Sequence, residues 1–343
     1  MLSLLTDLHI FWFAALGFLL TGYAILDGFD LGVGILHLFV SEDIDRRILM
    51  NSIGPLWDGN AVWLVTFGGA LFAAFPEAYA TAFSSFYLPF MALLFALIFR
   101  AVSMEFRSKR EWRWWRQFWD CSFCFSSTLA TFLFGVAVGN SMIGMKINQD
   151  REYAGSVFDL ISPYSVLIGV FAVSLFALHG SIYLYLKTEG ELQQRVRRWI
   201  WRAFALFLVL YATTSVVTLI KIPEATRHFA TWPLAWGVVF LNVLAIANIP
   251  RAIYQGRPAY AFISSACTIA AFNFLFGIAI FPNMIVSSLN PDWNLTIFNA
   301  SSTEQTLGLM RIIAFLGLPF VMSYTIVIYW IFRGKVQVGK LSY

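Results

Sequence analysis

An all-α polytopic membrane protein is the fold class this sequence predicts, and three observations carry it. Of 343 residues, 59% are hydrophobic and 12% charged, whereas a soluble domain carries about 25% charged residues. The mean hydropathy is +0.72. The apolar residues also gather into runs of about 20 or more, the length a helix needs to cross roughly 30 Å of hydrocarbon.

Nine such runs are predicted, at approximately 8–38, 52–75, 78–100, 118–140, 160–186, 199–220, 232–249, 259–281 and 308–332. They form one integral membrane domain over 1–343, with modest polar connections at about 141–159 and 282–307. The first run exceeds the hydrocarbon thickness, so it tilts or projects. Residues 1–7 lack a basic segment and no small-residue cleavage site follows, so this run reads as retained rather than as a signal peptide. Its Gly28-x-x-x-Gly32 spacing permits close contact with a second helix. The second run opens on Trp57-Asp58-Gly59-Asn60 and is then uncharged through Ala74. The third closes on Arg100, and the fourth carries Asp120 near its start. Between them, residues 107–116 interleave basic groups with Trp112, Trp114 and Trp115, a composition suited to a membrane–water boundary. Ahead of the last run, Ser301-Ser-Thr-Glu304 has capping-box spacing.

An odd number of spans puts the two ends on opposite sides, and the Lys/Arg distribution decides which is which. Eighteen of the 23 Lys and Arg residues fall on one side; the others are Lys146, Arg151, Lys221, Arg227 and Arg311. The N-terminus is therefore expected outside and the C-terminus in the cytoplasm. A sequence pI near 9.0 arises from these connections, so no nucleic-acid partner is expected.

In this orientation the ionisable residues of the early spans fall toward the cytoplasmic side: Asp27 and Asp30 in the first, Asp58 in the second, Arg100 closing the third and Asp120 opening the fourth. Glu105 and Lys109 lie in the connection between the last two. A charged side chain at the bilayer centre costs roughly 2.5–3.5 kcal/mol on insertion scales, so intramembrane acids mark ion or proton routes or specific pairings. Five carboxylates and two bases converging from four spans would form a half-channel from the cytoplasm, with Arg100 keeping one carboxylate ionised. Helix-to-helix ion pairing is the bland alternative.

Histidine and cysteine argue in the other direction. Of four histidines, only His179 lies well inside a span, where a lone histidine is more often a hydrogen-bonded structural residue than a ligand. Haem takes axial His, Met or Cys ligands, and no paired arrangement stands out among the nine methionines. No cofactor or metal is expected to be bound by this chain alone. Cys121-x-x-Cys124 has no second pair, and Cys267 stands by itself; all three read as inert membrane thiols.

At these residues the chain resembles subunit II of the cytochrome bd quinol oxidases. The matching stretches are Asp27-Gly-Phe-Asp-Leu-Gly-Val-Gly34, Arg46 through Asn60 with its Gly54-Pro-Leu-Trp-Asp-Gly-Asn60 ending, Val62-Trp63, Gly68 through Ala74, Ala82-Phe-Ser84, Phe99-Arg100 and Arg107-Ser-Lys109. Phe281-Pro282, Ser287-Ser288, Asn299-Ala-Ser-Ser302 and Thr306-Leu307 fit near the end. The resemblance spans the whole length, dense before residue 120 and loose between 140 and 255. It implies a subunit of a respiratory terminal oxidase in a bacterial or archaeal plasma membrane. Such a complex oxidises quinol and reduces dioxygen to water with protons taken from the cytoplasm. The haem-carrying subunit I would be the partner, holding two b-type haems, one d-type haem and the quinol-oxidation loop. A small accessory subunit, membrane lipid and, in some members, a structural quinone in subunit II complete the expected partners. The resemblance also implies a proton route through Asp58 with Trp57 beside it, Glu105, Lys109 and Asp120. Glu105 departs from the aspartate found in some members. Asp30 and Arg100 match positions that support the same region or the subunit contact.

Two other functions remain open at the level of sequence. A stand-alone proton-coupled transporter would use the same acids, although inverted repeats and broken helices at mid-membrane are not evident. A purely structural subunit would use them for interface stability.

Overall fold

The computed structural model describes residues 7–230 and 232–336. The readings that rest on residues 1–6 and on the basic residue Lys340 lie outside these. Helix α1 (Leu8–Leu36) starts at Asp7, whose carboxylate accepts the His9 and Ile10 N–H groups at 2.8 and 3.2 Å, a side-chain N-cap. A 3-10 turn and the short α2 (Asp43–Ile53) lead through Gly54-Pro55-Leu56 into α3 (Trp57–Ala74). Then come α4 (Pro76–Ser85), α5 (Tyr87–Phe106), α6 (Arg113–Ile143), α7 (Pro163–Lys187), α8 (Gly190–Lys221), α9 (Leu234–Tyr254) and α10 (Pro258–Ile280). A two-stranded antiparallel ribbon, β1 (Asn283–Ile285) with β2 (Leu295–Thr296), precedes α11 (Glu304–Ile331). Eight of these helices are long and apolar enough to cross a membrane. The remaining expected span is α3, 18 residues headed by two polar groups, Asp58 and Asn60.

Three expected boundaries move. The second span does not run from 52, because α2 ends at Ile53 and the Gly-Pro turn separates it from α3. The third is not one helix over 78–100: it divides at Phe86 into α4 and α5. Pro89 explains the division, since it has no N–H to give the Ser85 carbonyl and its ring would collide with that group in a continuous helix. The last helix is capped by Thr303 rather than Ser301: the Thr303 hydroxyl accepts the Thr306 N–H at 3.4 Å. Ser302 instead ties the segment to the end of α3 through Ala73 O at 2.7 Å and Ala74 O at 2.8 Å.

The close helix contact expected at Gly32 is made with α7. A Cβ on Gly32 would stand 2.0 Å from the Phe176 carbonyl oxygen, and one on Gly180 would stand 2.5 Å from the Gly32 carbonyl carbon. Two backbones therefore touch, a contact only residues without side chains allow. Every residue of α1 from Asp27 to Leu36 is buried in consequence. One apolar cluster surrounds this half of α1 with side chains from α2, α7, α8, α9 and α10. A second cluster, around Trp12, Phe75 and Leu307, seals the opposite end beneath the β ribbon. Ion pairs Lys146–Asp159 (2.8 Å) and Arg151–Glu77 staple that end. Outside the spans, the Lys146 ammonium beside Asp159 holds its carboxyl below the usual range.

Candidate functional site

Asp27 and Asp30 are three residues apart on α1, hence neighbours on one helix face. Arg100 reaches them from α5. Its two terminal nitrogens donate to both Asp27 oxygens at 2.8 and 2.6 Å, a bidentate pair, and one lies 4.0 Å from Asp30. The Asp27 and Asp30 side chains are 0% exposed and that of Arg100 is 3% exposed. From α3, the Asn60 amide nitrogen donates to Asp30 at 2.8 Å and to the Leu26 carbonyl at 3.2 Å. From α11, the Tyr329 hydroxyl donates to the Asn60 amide oxygen at 2.9 Å. Four helices thus meet at one buried polar cluster. Tyr23 Oη, Asp30 Oδ1 and Arg100 Nε are buried there with no hydrogen-bond partner.

A cavity of about 120 Å³ abuts this cluster, lined by Tyr23, Asp27, Trp57, Leu97 and Arg100 among others. Organic ligand sites run to roughly 300–1,000 Å³, so its size suits a few water molecules. Trp57 is half-buried against it, and Asp58 is exposed on the next helical position. The spacing explains the contrast: Asp58 and Asn60 are two residues apart, about 200° around the helix. One therefore faces outward while the other enters the bundle.

Of the acids and bases expected from the sequence, the structure joins some by printed contacts in two clusters. Asp27, Asp30 and Arg100 form the cluster above. Asp120 belongs to a second one, at the end of the bundle where α1 meets α2 and α6. Its oxygens accept from Arg107 Nε at 2.5 Å and Arg46 at 2.7 Å, and lie 2.5 Å from His37 Nε2. Arg107 also pairs with Asp43 at 2.7 Å, and Arg116 reaches Asp43 at 3.1 Å. Nearby, Arg195 of α8 forms an ion pair with Asp45 of α2 at 2.7 Å; burial pushes the Asp45 carboxyl up while Arg195 draws it back. Asp58, Glu105 and Lys109 belong to neither cluster, and each is exposed on this chain.

His37, Arg46, Arg107, Asn60 and Tyr329 are members of these clusters that sequence reasoning did not select. A signal existed for His37, which lies seven residues beyond Asp30 and continues the Asp27–Asp30 face. None existed for Tyr329, one of many aromatics in an apolar run. His179, weighed as a ligand, has both ring nitrogens engaged: Nδ1 with Ser265 at 2.7 Å and Nε2 with the Ile25 carbonyl at 3.0 Å. It also stacks on Phe262 at 4.9 Å. Among the described residues, no group of three His, Cys, Asp or Glu is placed to hold a metal ion.

Comparison with known proteins assigns the family. Residues 8–332 match the cytochrome bd terminal oxidase subunit II family. Subunit 2 of the cytochrome bd-I ubiquinol oxidase of Escherichia coli (strain K12) is 35% identical over 360 residues, covering 96% of this chain and 95% of that one. Subunit 2 of the cytochrome bd ubiquinol oxidase of Bacillus subtilis (strain 168) is 36% identical over 335 residues, covering 97% and 98%. In fold, the chain is similar to a chain of the bd oxidase of Geobacillus thermodenitrificans, with a TM-score of 0.76 at 18% identity, covering 94% and 98%. A whole-length sequence match, an equally complete fold match and a buried acid cluster built from the matching motifs lead to one conclusion: the chain belongs to the cytochrome bd terminal oxidase subunit II family.

Proposed function

We propose that the chain is the membrane subunit of a terminal oxidase that oxidises quinol and reduces dioxygen to water, and that it supplies a proton route and the scaffold for a haem-carrying subunit I. It forms one integral domain with its C-terminus in the cytoplasm. The b-type and d-type haems are carried by the partner, and the chain is not catalytic alone. The complex resides in a bacterial or archaeal plasma membrane.

The observation that carries the proton role is the position of Asp58. Its carboxylate is exposed on α3 beside Trp57, and Trp57 lines the cavity that reaches Asp27 and Arg100. A carboxylate against lipid is costly, so a polar surface of subunit I is the fitting neighbour. Asp58, Trp57, Glu105 and Lys109 then form the rim at which protons enter, and the Asp27–Arg100 pair fixes the helices behind it. Asp120, saturated by His37, Arg46 and Arg107, anchors the entry side of the bundle.

The stand-alone transporter reading has no comparable support. The test is Asp58→Asn in the purified two-subunit complex. Quinol oxidase turnover is expected to fall by roughly 100-fold, the low end of what a positioned proton donor contributes, with the haem spectrum unchanged. Full turnover in this variant would end the route through Asp58.

A further inference from the structure

The buried cluster does not balance in charge. Two carboxylates, Asp27 and Asp30, face one guanidinium, and all three are shut away from solvent. Arg100 is committed to Asp27 by two short bonds, while its nearest approach to Asp30 is 4.0 Å. Asp30 receives one neutral donor, the Asn60 amide, and its second oxygen has no partner.

Among the described residues, no cation other than Arg100 is paired with Asp30. The titratable side chains that face Asp30 are Asp27 and Tyr23 from α1, Arg100 from α5, Tyr183 from α7 and Tyr329 from α11. His179 is spoken for by Ser265 and the Ile25 carbonyl. Buried charges persist when paired, and an uncompensated one is expensive.

We propose that Asp30 is a proton-binding site: the cluster closes as one Asp27–Arg100 ion pair and one neutral carboxylic acid on Asp30. The Oδ2 atom, already accepting from Asn60, is the carbonyl oxygen of that acid, and the unpartnered Oδ1 carries its hydroxyl hydrogen. Uptake converts the carboxylate and one proton to the acid, and release reverses this with nothing else consumed. The site lies behind the cavity bordered by Trp57, inside the bundle rather than at its rim. Its place in turnover rests on the proton-route reading above; the presence of the bound proton does not.

Infrared spectroscopy of the purified two-subunit complex tests this. The spectrum of the native complex minus that of Asp30→Asn should contain one carboxylic-acid C=O stretching band, and that band should shift in D2O. Because asparagine has the shape of the neutral acid, the variant should assemble with full haem content. Tyr329→Phe, which frees the Asn60 amide, should move the same band without abolishing it, and it serves if Asp30→Asn yields no complex. Absence of the band, its loss in Asp27→Asn but not Asp30→Asn, or its indifference to Tyr329→Phe would overturn the proposal. If the band is present while Asp58→Asn retains full turnover, the route at the rim fails and the proton site stands.

Discussion

At the scale of single residues, two acids that look alike in sequence have opposite surroundings, and their neutral variants should separate. Asp120 is buried between His37, Arg46 and Arg107, and Arg107 is itself buried. Asp120→Asn leaves Arg107 with only Asp43 as a charged partner, and breaking a buried pair costs about 3–5 kcal/mol. Thermal unfolding of the purified complex should therefore start at distinctly lower temperature in Asp120→Asn. Asp58→Asn removes an exposed charge and should leave the unfolding temperature where it was while depressing turnover. Equal stability in the two variants would remove Asp120 as an anchor. The sequence made the acids visible because charge in an apolar run is conspicuous. It did not reveal their surroundings, since His37 and Arg107 are brought to Asp120 from 83 and 13 positions away, and Tyr329 to Asn60 from 269, by the packing of other helices. Nor did it show which side of α3 Asp58 faces, a matter settled by what Asn60 grips on α1.

Between elements, contact is governed by residues with little or no side chain. Adding a methyl group at Gly32 would place it 2.0 Å from a backbone oxygen of α7, and a backbone cannot swing aside as a side chain does. Gly32→Ala should push α1 and α7 apart, at an overpacking cost of about 1–3 kcal/mol, and loosen Asp27 and Asp30 on the same stretch of α1. The expected result is a lower yield of assembled complex, which haem-to-protein ratio measures directly. Gly68→Ala, where nothing lies within 4 Å of the added Cβ, is the control and should assemble as the native chain does. The Gly28-x-x-x-Gly32 spacing announced such a contact. A second one, where Gly135 and Gly139 on α6 meet Gly169 and Ser165 on α7, has the same spacing. Span positions were legible because hydrophobic length is written locally. The break at Phe86 lies inside an apolar run that conceals it, although Pro89 encodes it by denying Ser85 its hydrogen bond.

For the molecule as a whole, the unequal burial of its helices says where a partner belongs. An 18-residue apolar stretch of α7 is 61% buried inside the chain, and one of α11 is 0% buried. Only Leu307 of α11 is buried. The helix is held instead at its two ends. Trp12 Nε1 donates to the Leu307 carbonyl at 3.0 Å, and at the other end Tyr329 meets Asn60 while Lys187 donates to the carbonyls of Phe332 and Gly334. Apolar exposure alone does not call for a protein, because lipid accepts it. The head of α3 changes that: a Cβ added at Gly59, next to the exposed Asp58, would stand 3.9 Å from the Tyr324 ring of α11. A polar group beside a helix that buries only Leu307 within this chain fits a subunit interface better than a lipid face. Introducing a charge in mid-helix on α11, as in Phe320→Lys, should then weaken association with subunit I. Phe320 is 78% exposed on this chain, so the substitution disturbs no internal contact. The lost partner would appear as a chain that still reaches the membrane but purifies with little haem. The same substitution on the outer face of α8, at Ile220 (70% exposed), sits near a helix end where a lysine can reach the boundary, and should leave haem content intact. If both variants retain haem equally, the α3–α11 side is not where subunit I docks, and Asp58 would lose the neighbour that its proposed role requires.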